Sequence, residues 1–156
     1  MKKLVILAVS LAMLLALCAC GGGGSSSGKE IDLDALASEL TASGAFSDLL
    51  SQPADGVAAR LYDFADGDVV KCVMYTGTGA TAEEIFLAQA ASADAAAALK
   101  TACEARVENQ KLAFRSYAPG EVDKLDSAVI VTSGNYVMLV VSADAAAARS
   151  IVESYT

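Results

Sequence analysis

The chain has 156 residues, of which 54% are hydrophobic, 19 are acidic, 11 are basic and none is histidine. One ordinary domain accounts for that length, and the lack of histidine excludes Ser-His-Asp and Cys-His catalysis, histidine metal sites and a histidine pH switch. The formal net charge of −8 argues against nucleic acid as a partner, because neutralising phosphates requires a basic surface.

A short apolar segment with a basic start begins the chain. Lys2 and Lys3 precede the apolar run 4–17, in which only Ser10 is polar. At about 1.5 Å per residue this run spans about 21 Å, which is short of the roughly 30 Å hydrocarbon core of a bilayer. The pattern is typical of a secretory signal that is removed, and we predict a signal peptide over residues 1–19.

The end of that segment resembles the bacterial lipoprotein box. Leu17 stands at the aliphatic position −3, Ala19 at the small position −1, and Cys20 at the invariant cysteine, whereas Cys18 departs from the usual residue at −2. The resemblance implies cleavage after Ala19, a diacylglycerol on the Cys20 sulfur, and anchoring to the extracytoplasmic face of the cell membrane. An ordinary cleaved signal and an uncleaved membrane anchor are the alternatives.

The next residues are low in complexity. We predict the lipidated cysteine and a flexible Gly/Ser tether over 20–29, followed by a single α+β domain over 30–156. Without residues 1–19 the chain keeps 9 basic and 19 acidic side chains, a net charge of −10. An anionic bilayer repels such a domain, so the lipid has to supply the attachment. The acidic surface is interpreted as solubilising, with basic partners or cations as the second interpretation.

The first elements of the domain are predicted to be helical. Asp32 is a good N-cap for a helix within Lys29 to Gly44, and Gly44 ends it. A short helix is expected from Pro53 to about Leu61.

Two strands and a long helix are expected next. The run 69–76 is rich in β-branched residues, and 84–91 is ambiguous between strand and helix. A repeat decides for strand: the sequence SADAAAA occurs at 92–98 and again at 142–148. At the same offset Phe86 corresponds to Tyr136, which leads into an unmistakable strand over residues 137–141.

The repeat predicts the fold class. Each copy reads strand, turn, strand and helix, with helices expected over 94–117 and from 144 to the end. We predict an α+β fold: a tandem ββα-ββα antiparallel sheet with helices packed on it, preceded by short N-terminal helices. Apolar residues on both strand faces imply that the second face is covered, by the N-terminal helices or by a partner. Bulky replacements at Ala96 or Ala146 should destabilise more than a replacement of Lys100.

Candidate chemical groups are few. Cys72 and Cys103 are expected to face one core; free thiols are the commoner outcome for such a pair, and a disulfide stays open. Two cysteines without histidine make no zinc site. Gly77-Thr78-Gly79 lacks the remainder of a phosphate-binding motif and is interpreted as a hairpin loop. Asp63, Asp66 and Asp68 lack the glutamate that closes a calcium loop.

Three further groups are candidates for catalysis or binding. Glu83 and Glu84 are adjacent on a predicted strand and point to opposite faces, so they cannot flank one scissile bond. The serines at 25–27 lie in the tether and not on a nucleophile elbow. Tyrosines 117, 136 and 155 are interpreted as partly buried core and not as a carbohydrate- or peptide-binding surface.

Several segments together resemble a family of unknown function that occurs in small lipoproteins of Gram-positive bacteria. The resemblance covers about Ile31 to Val152 and rests on the following residues: 78–85, 106–111, Tyr117, Pro119, 121–122 and 133–137. It implies a lipoprotein and this fold. The family has no assigned activity, so it implies no catalytic residue.

From the sequence we expect no catalytic residues, no metal and no cofactor, and Cys20 as the lipidation site. The expected role is non-catalytic binding of a protein, peptide or envelope component at the outer face of the membrane. The alternatives are an envelope hydrolase that uses carboxylates alone and a structural homodimer built through the second face of the sheet.

Overall fold

A computed structural model describes residues 29–156. The predicted signal peptide, Cys20 and most of the predicted tether lie outside the described residues. Within 29–156, no helix is both long enough and apolar enough to cross a membrane.

The described residues form one antiparallel sheet with helices on both faces. The elements are α1 (Leu33–Ala42), α2 (Val57–Tyr62), β1 (Val69–Thr76), β2 (Glu84–Ala90), α3 (Ala93–Tyr117), a 3-10 turn (Pro119–Glu121), α4 (Val122–Asp126), β3 (Val129–Ser133), β4 (Tyr136–Val141) and α5 (Ala145–Tyr155). The strand order is β1-β2-β4-β3, so the second strands of the two hairpins lie side by side at the centre. The α+β prediction, including strand rather than helix at β2, is confirmed.

Each face of the sheet carries its own hydrophobic core. Because side chains alternate along a strand, Phe86 and Ala88 face α3 while Ile85 and Leu87 face the other side. The core under α3 includes Leu99, Cys103, Val107, Leu139 and Val141. The opposite core is closed by α1 and α5, through Leu36, Leu40, Ala148 and Val152. The second face is thus covered within the chain, and α2 packs on the side of α3.

The two ββα units differ in how their helices are placed. The helix after the first hairpin, α3, lies on one face of the sheet, and the helix after the second, α5, lies on the other. Their caps differ as well: the Ser92 hydroxyl accepts from the Ala95 N–H at the start of α3, whereas the Asp144 carboxylate accepts from the Ala147 N–H at the start of α5. The repeat therefore holds for the order of elements but not for their packing.

The shifted cap corrects one prediction. Ala96 is buried as expected, but Ala146 is exposed, and the buried alanine of α5 is Ala148. Relative to the repeated sequence, α5 begins two residues later than α3. Each residue turns a helix by about 100°, so this shift rotates the inward face of α5 by about 200°. The alanine equivalent to Ala96 in space is therefore Ala148.

We expect Ala148→Leu to lower the free energy of unfolding by about 1–3 kcal/mol, because an overpacked core forces its neighbours to shift. The matched variant Ala146→Leu, on the exposed side of the same helix, should change it by less than about 0.5 kcal/mol. Urea denaturation followed by circular dichroism measures both. Equal losses in the two variants would contradict the placement of α5.

Candidate functional site

Two adjacent glutamates enter β2 and are both buried. Glu83 and Glu84 are each 2% exposed, which is unusual for a carboxylate unless it is paired. As the sequence predicted, their side chains leave the strand on opposite sides and contact different groups. The contacts of each carboxylate determine whether it is available for catalysis or stabilises the fold.

Glu84 is neutralised on the α3 side of the sheet. Its Oε2 accepts from Arg106 Nη2 at 2.7 Å and from Gln110 Nε2 at 3.4 Å, both on α3. Its Oε1 accepts from the Tyr62 hydroxyl and from Arg106 Nε at 3.3 Å. The Tyr62 ring stacks on Phe86 with ring centroids 3.7 Å apart, so the hydroxyl is held in place by the core. This cluster joins α2, β2 and α3.

Glu83 holds the segment that follows α1. The backbone N–H groups of Ser47 and Asp48 donate to its carboxylate at 2.9 and 2.8 Å, and the Ser47 hydroxyl donates at 2.6 Å. Lys124 of α4 completes the set at 2.9 Å and also pairs with Glu121 at 3.1 Å. One carboxylate therefore ties residues 47–48, β2 and α4 together.

The electrostatics of both clusters favour fixed charge over proton transfer. Burial opposes ionisation of Glu83, but the hydrogen bonds from Ser47, Lys124 and Asp48 outweigh it and lower its pKa. Burial and the neighbouring Glu84 raise the pKa of Tyr62 well above its usual value. Burial likewise opposes the charge on Arg106, yet Glu84 raises its pKa. A general acid needs a raised carboxyl pKa, which Glu83 lacks.

The glycine-threonine loop between β1 and β2 is occupied by the chain's own carboxylate. Asp48 Oδ2 accepts from Thr78 N–H, Thr78 Oγ1 and Thr81 Oγ1 at 2.9, 2.9 and 2.8 Å. These bonds, led by the Thr78 N–H, lower the pKa of Asp48 to about 2. A Cβ on Gly77 would stand 2.6 Å from Asp48 Oδ2, so a larger residue there would force the carboxylate to shift. The loop thus binds an internal anion, in agreement with its interpretation as a hairpin loop.

The aspartates after α2 are not brought together as a metal site. Within residues 29–156 no group of three or more carboxylates, cysteines or histidines is placed to hold a metal ion. Asp68 Oδ2 instead accepts from the Ala65 N–H at 3.0 Å and shapes the turn into β1. Asp63 takes a left-handed backbone conformation (φ 49°) at the end of α2.

The remaining candidates are scattered. Cys103 is buried on the inner side of α3, whereas Cys72 on β1 is exposed, so the expectation of a shared core is wrong for Cys72; both are free thiols. Burial raises the pKa of Cys103 to about 12, which makes it inert at neutral pH. Among the tyrosines, Tyr136 is buried, Tyr155 donates to Glu39 at 2.9 Å, and Tyr117 is exposed at the end of α3. They do not form one surface.

A half-open groove lies between α3 and the segment 62–68, and we name it the α3 groove. Its volume is about 590 Å³. Its apolar lining residues are Tyr62, Phe64, Leu99 and the alanines 95, 98, 102 and 105 of α3. Asp63, Asp68 and Asp94 also line it. Alanines along this side of α3 leave open the space that longer side chains would fill.

Sequence reasoning did not find the partners of the two glutamates or the α3 groove. One signal was present: Arg106 and Gln110 lie one turn apart, beside the apolar stripe of Cys103, Val107 and Phe114. A charged residue beside a buried stripe predicts a buried counter-charge. The run of alanines at 95–98 by itself predicts only close packing of the helix on the sheet.

Together these features define a three-layer α+β domain with buried structural ion pairs at one end of the sheet and a groove beside its longest helix. Residues 43–142 match the family described as a domain of unknown function, DUF4358. The match spans more than half of the chain and includes all four strands, so the chain belongs to this family. No curated protein and no solved structure gives a significant match.

Proposed function

We propose that the protein is a lipid-anchored, non-catalytic binding module at the extracytoplasmic face of the cell membrane. The anchor is supported by Leu17, Ala19 and Cys20 in the lipoprotein-box positions. Residues 21–28 are all Gly or Ser, a composition that supports the proposed tether between the anchor and the domain. Two acyl chains suffice for stable attachment.

The observation that carries the binding role is the α3 groove. Its volume of about 590 Å³ lies within the range of about 300–1,000 Å³ that is usual for ligand clefts. An apolar floor with a few charged groups at the edge is the composition of binding sites in general. The segment 62–68 that forms one wall is held at its first residue by the Tyr62–Glu84 contact and at its last by the Ala91 N–H, which donates to the Asp68 carbonyl at 2.8 Å.

The buried carboxylates support this role over the alternative of a carboxylate hydrolase. A glycosidase-type pair flanks one open cleft and keeps one carboxyl protonated. Here Glu83 and Glu84 each contact a different cation, Lys124 and Arg106, and the pKa of Glu83 is lowered. The second alternative is a homodimer through the second sheet face. Since α1 and α5 cover that face, little apolar sheet surface remains exposed there to drive dimerisation.

Replacing Cys20 by alanine should abolish incorporation of a radioactive fatty acid and leave an unprocessed precursor or release the protein from membranes. The reason is that the Cys20 sulfur is the proposed site of the diacylglycerol. Metabolic labelling followed by membrane fractionation measures both effects.

The matched control is Cys18→Ala, two residues away in the same segment, which should label and fractionate as the natural protein does. Loss of labelling in Cys18→Ala with normal labelling in Cys20→Ala would contradict the assignment of the anchor.

A further inference from the structure

We propose that the α3 groove docks a cationic segment of a partner protein, in which lysine or arginine alternates with small apolar side chains. This inference rests on the proposed binding function and specifies the class of partner. It is carried by the shape of the groove together with the charges along it.

The carboxylates along the groove lack cationic partners. Among residues 29–156, the ion pairs include neither Asp63, Asp68 nor Asp94, and the groove lining contains no Lys or Arg. Six of the nine basic side chains in this range are already engaged with other carboxylates. Negative charge beside a low-dielectric apolar wall focuses the field and attracts cations. A cationic occupant would therefore meet these carboxylates without a competing Lys or Arg in the described lining of the groove.

The apolar floor of the α3 groove restricts which side chains can accompany the cationic ones of the occupant. Ala95, Ala98 and Ala102 present only methyl groups along the α3 wall, and the larger apolar groups are Leu99 on that wall and Phe64 on the segment 62–68. Such a floor accepts small apolar side chains by van der Waals contact and offers few donors or acceptors to a polar ligand. A segment with apolar residues between its cationic ones matches this arrangement.

Other occupants fit less well. A second copy of the chain would bring the same excess of acidic side chains, 19 against 9 in this range, and would be repelled. A metal ion lacks three converging ligands within the described residues. A small molecule of matching volume would find few groups to fix its orientation, because alanines make up most of the α3 wall. A segment of a larger partner buries its remaining surface elsewhere.

The test uses the full chain in zwitterionic detergent and a fluorescein-labelled heptapeptide of alanine and valine with two lysines. Fluorescence anisotropy should show saturable binding that weakens between about 20 mM and about 300 mM salt, because salt screens the charges. The double variant Asp63→Asn/Asp94→Asn should weaken binding by about tenfold or more. Asparagine tolerates the left-handed conformation at position 63, so the fold is preserved.

Matched controls separate the groove from the net charge. Asp55→Asn/Asp123→Asn removes the same charge outside the groove and should change affinity by less than about twofold. Ala98→Leu, which fills the groove without changing charge, should weaken binding by about tenfold. Circular dichroism and urea midpoints confirm that each variant is folded.

Four results would overturn the inference. The first is no binding of the lysine peptide at about 1 mM, and the second is equal affinity for a peptide with glutamate in place of lysine. The third is an equal loss of affinity in Asp55→Asn/Asp123→Asn. The fourth is a concentration-dependent dimer in sedimentation that Ala98→Leu disrupts. The last would assign the groove to a second copy. The first three results leave the proposed binding function standing, and crosslinking in intact cells tests that function separately, whereas the fourth would remove the observation that carries it.

Discussion

Arg106→Met is expected to lower the free energy of unfolding by about 3–5 kcal/mol, because it leaves a buried carboxylate without its counter-charge. Glu84 is 2% exposed, and after the substitution it would keep only the Tyr62 hydroxyl and the 3.4 Å contact with Gln110. For a domain of ordinary stability, about 5–15 kcal/mol, that is a large fraction of the total. Urea denaturation at neutral pH measures the loss.

Two further variants show that the loss comes from the unpaired charge. Lys100→Met removes an exposed pair on the same helix, 2.8 Å from Glu104, and should cost less than about 0.5 kcal/mol. The triple variant Tyr62→Phe/Glu84→Leu/Arg106→Met replaces the whole cluster by apolar groups and should recover much of the stability, since buried ion pairs are often replaceable in this way. A cost for Arg106→Met no larger than that of Lys100→Met would contradict a structural role for Glu84.

Glu83→Ala is expected to cost about 2–4 kcal/mol, because it leaves the N–H groups of Ser47 and Asp48 without their acceptor and Lys124 with one carboxylate fewer. The loss should be local as well as global. Amide exchange at Ser47 and Asp48 should accelerate, since both N–H groups donate to the Glu83 carboxylate.

The contribution of Glu83 depends on pH with a defined sign. Its pKa is lowered from the ordinary value of 4.5, so the stability it supplies is complete above about pH 4.5 and is lost as the pH falls through the lowered pKa. The difference in stability between the natural protein and Glu83→Gln should therefore shrink on acidification below pH 4.5. A difference that grows on acidification would mean that Glu83 is protonated in the folded protein.

The order of elements was accessible from sequence because its signals are local. The Asp32 cap, the end of the long helix before Pro119-Gly120 and the strand at β2 all depend on residues close together in the chain. The assignment of β2 needed the repeat, since its apolar run fits either periodicity. The corresponding strand at 136–141 supplied the missing information.

The placement of the helices and the buried charges was not accessible in the same way. The face of α5 depends on whether Ser142 or Asp144 caps the helix, and both residues are good caps. Glu83 meets Lys124 across 41 positions and Glu84 meets Arg106 across 22, and no local pattern encodes such pairs. The α3 groove arises only when the segment 62–68 is placed beside the alanines of α3.

The most direct test of the binding role is site-specific photo-crosslinking in intact cells from Ala98, inside the α3 groove. Ala146 is the matched position, because it is an exposed alanine on a helix at the opposite face of the sheet. The account predicts one discrete adduct from position 98, none from position 146, and loss of the adduct when Asp63→Asn/Asp94→Asn is introduced. No adduct from position 98, or the same adducts from both positions, would contradict it.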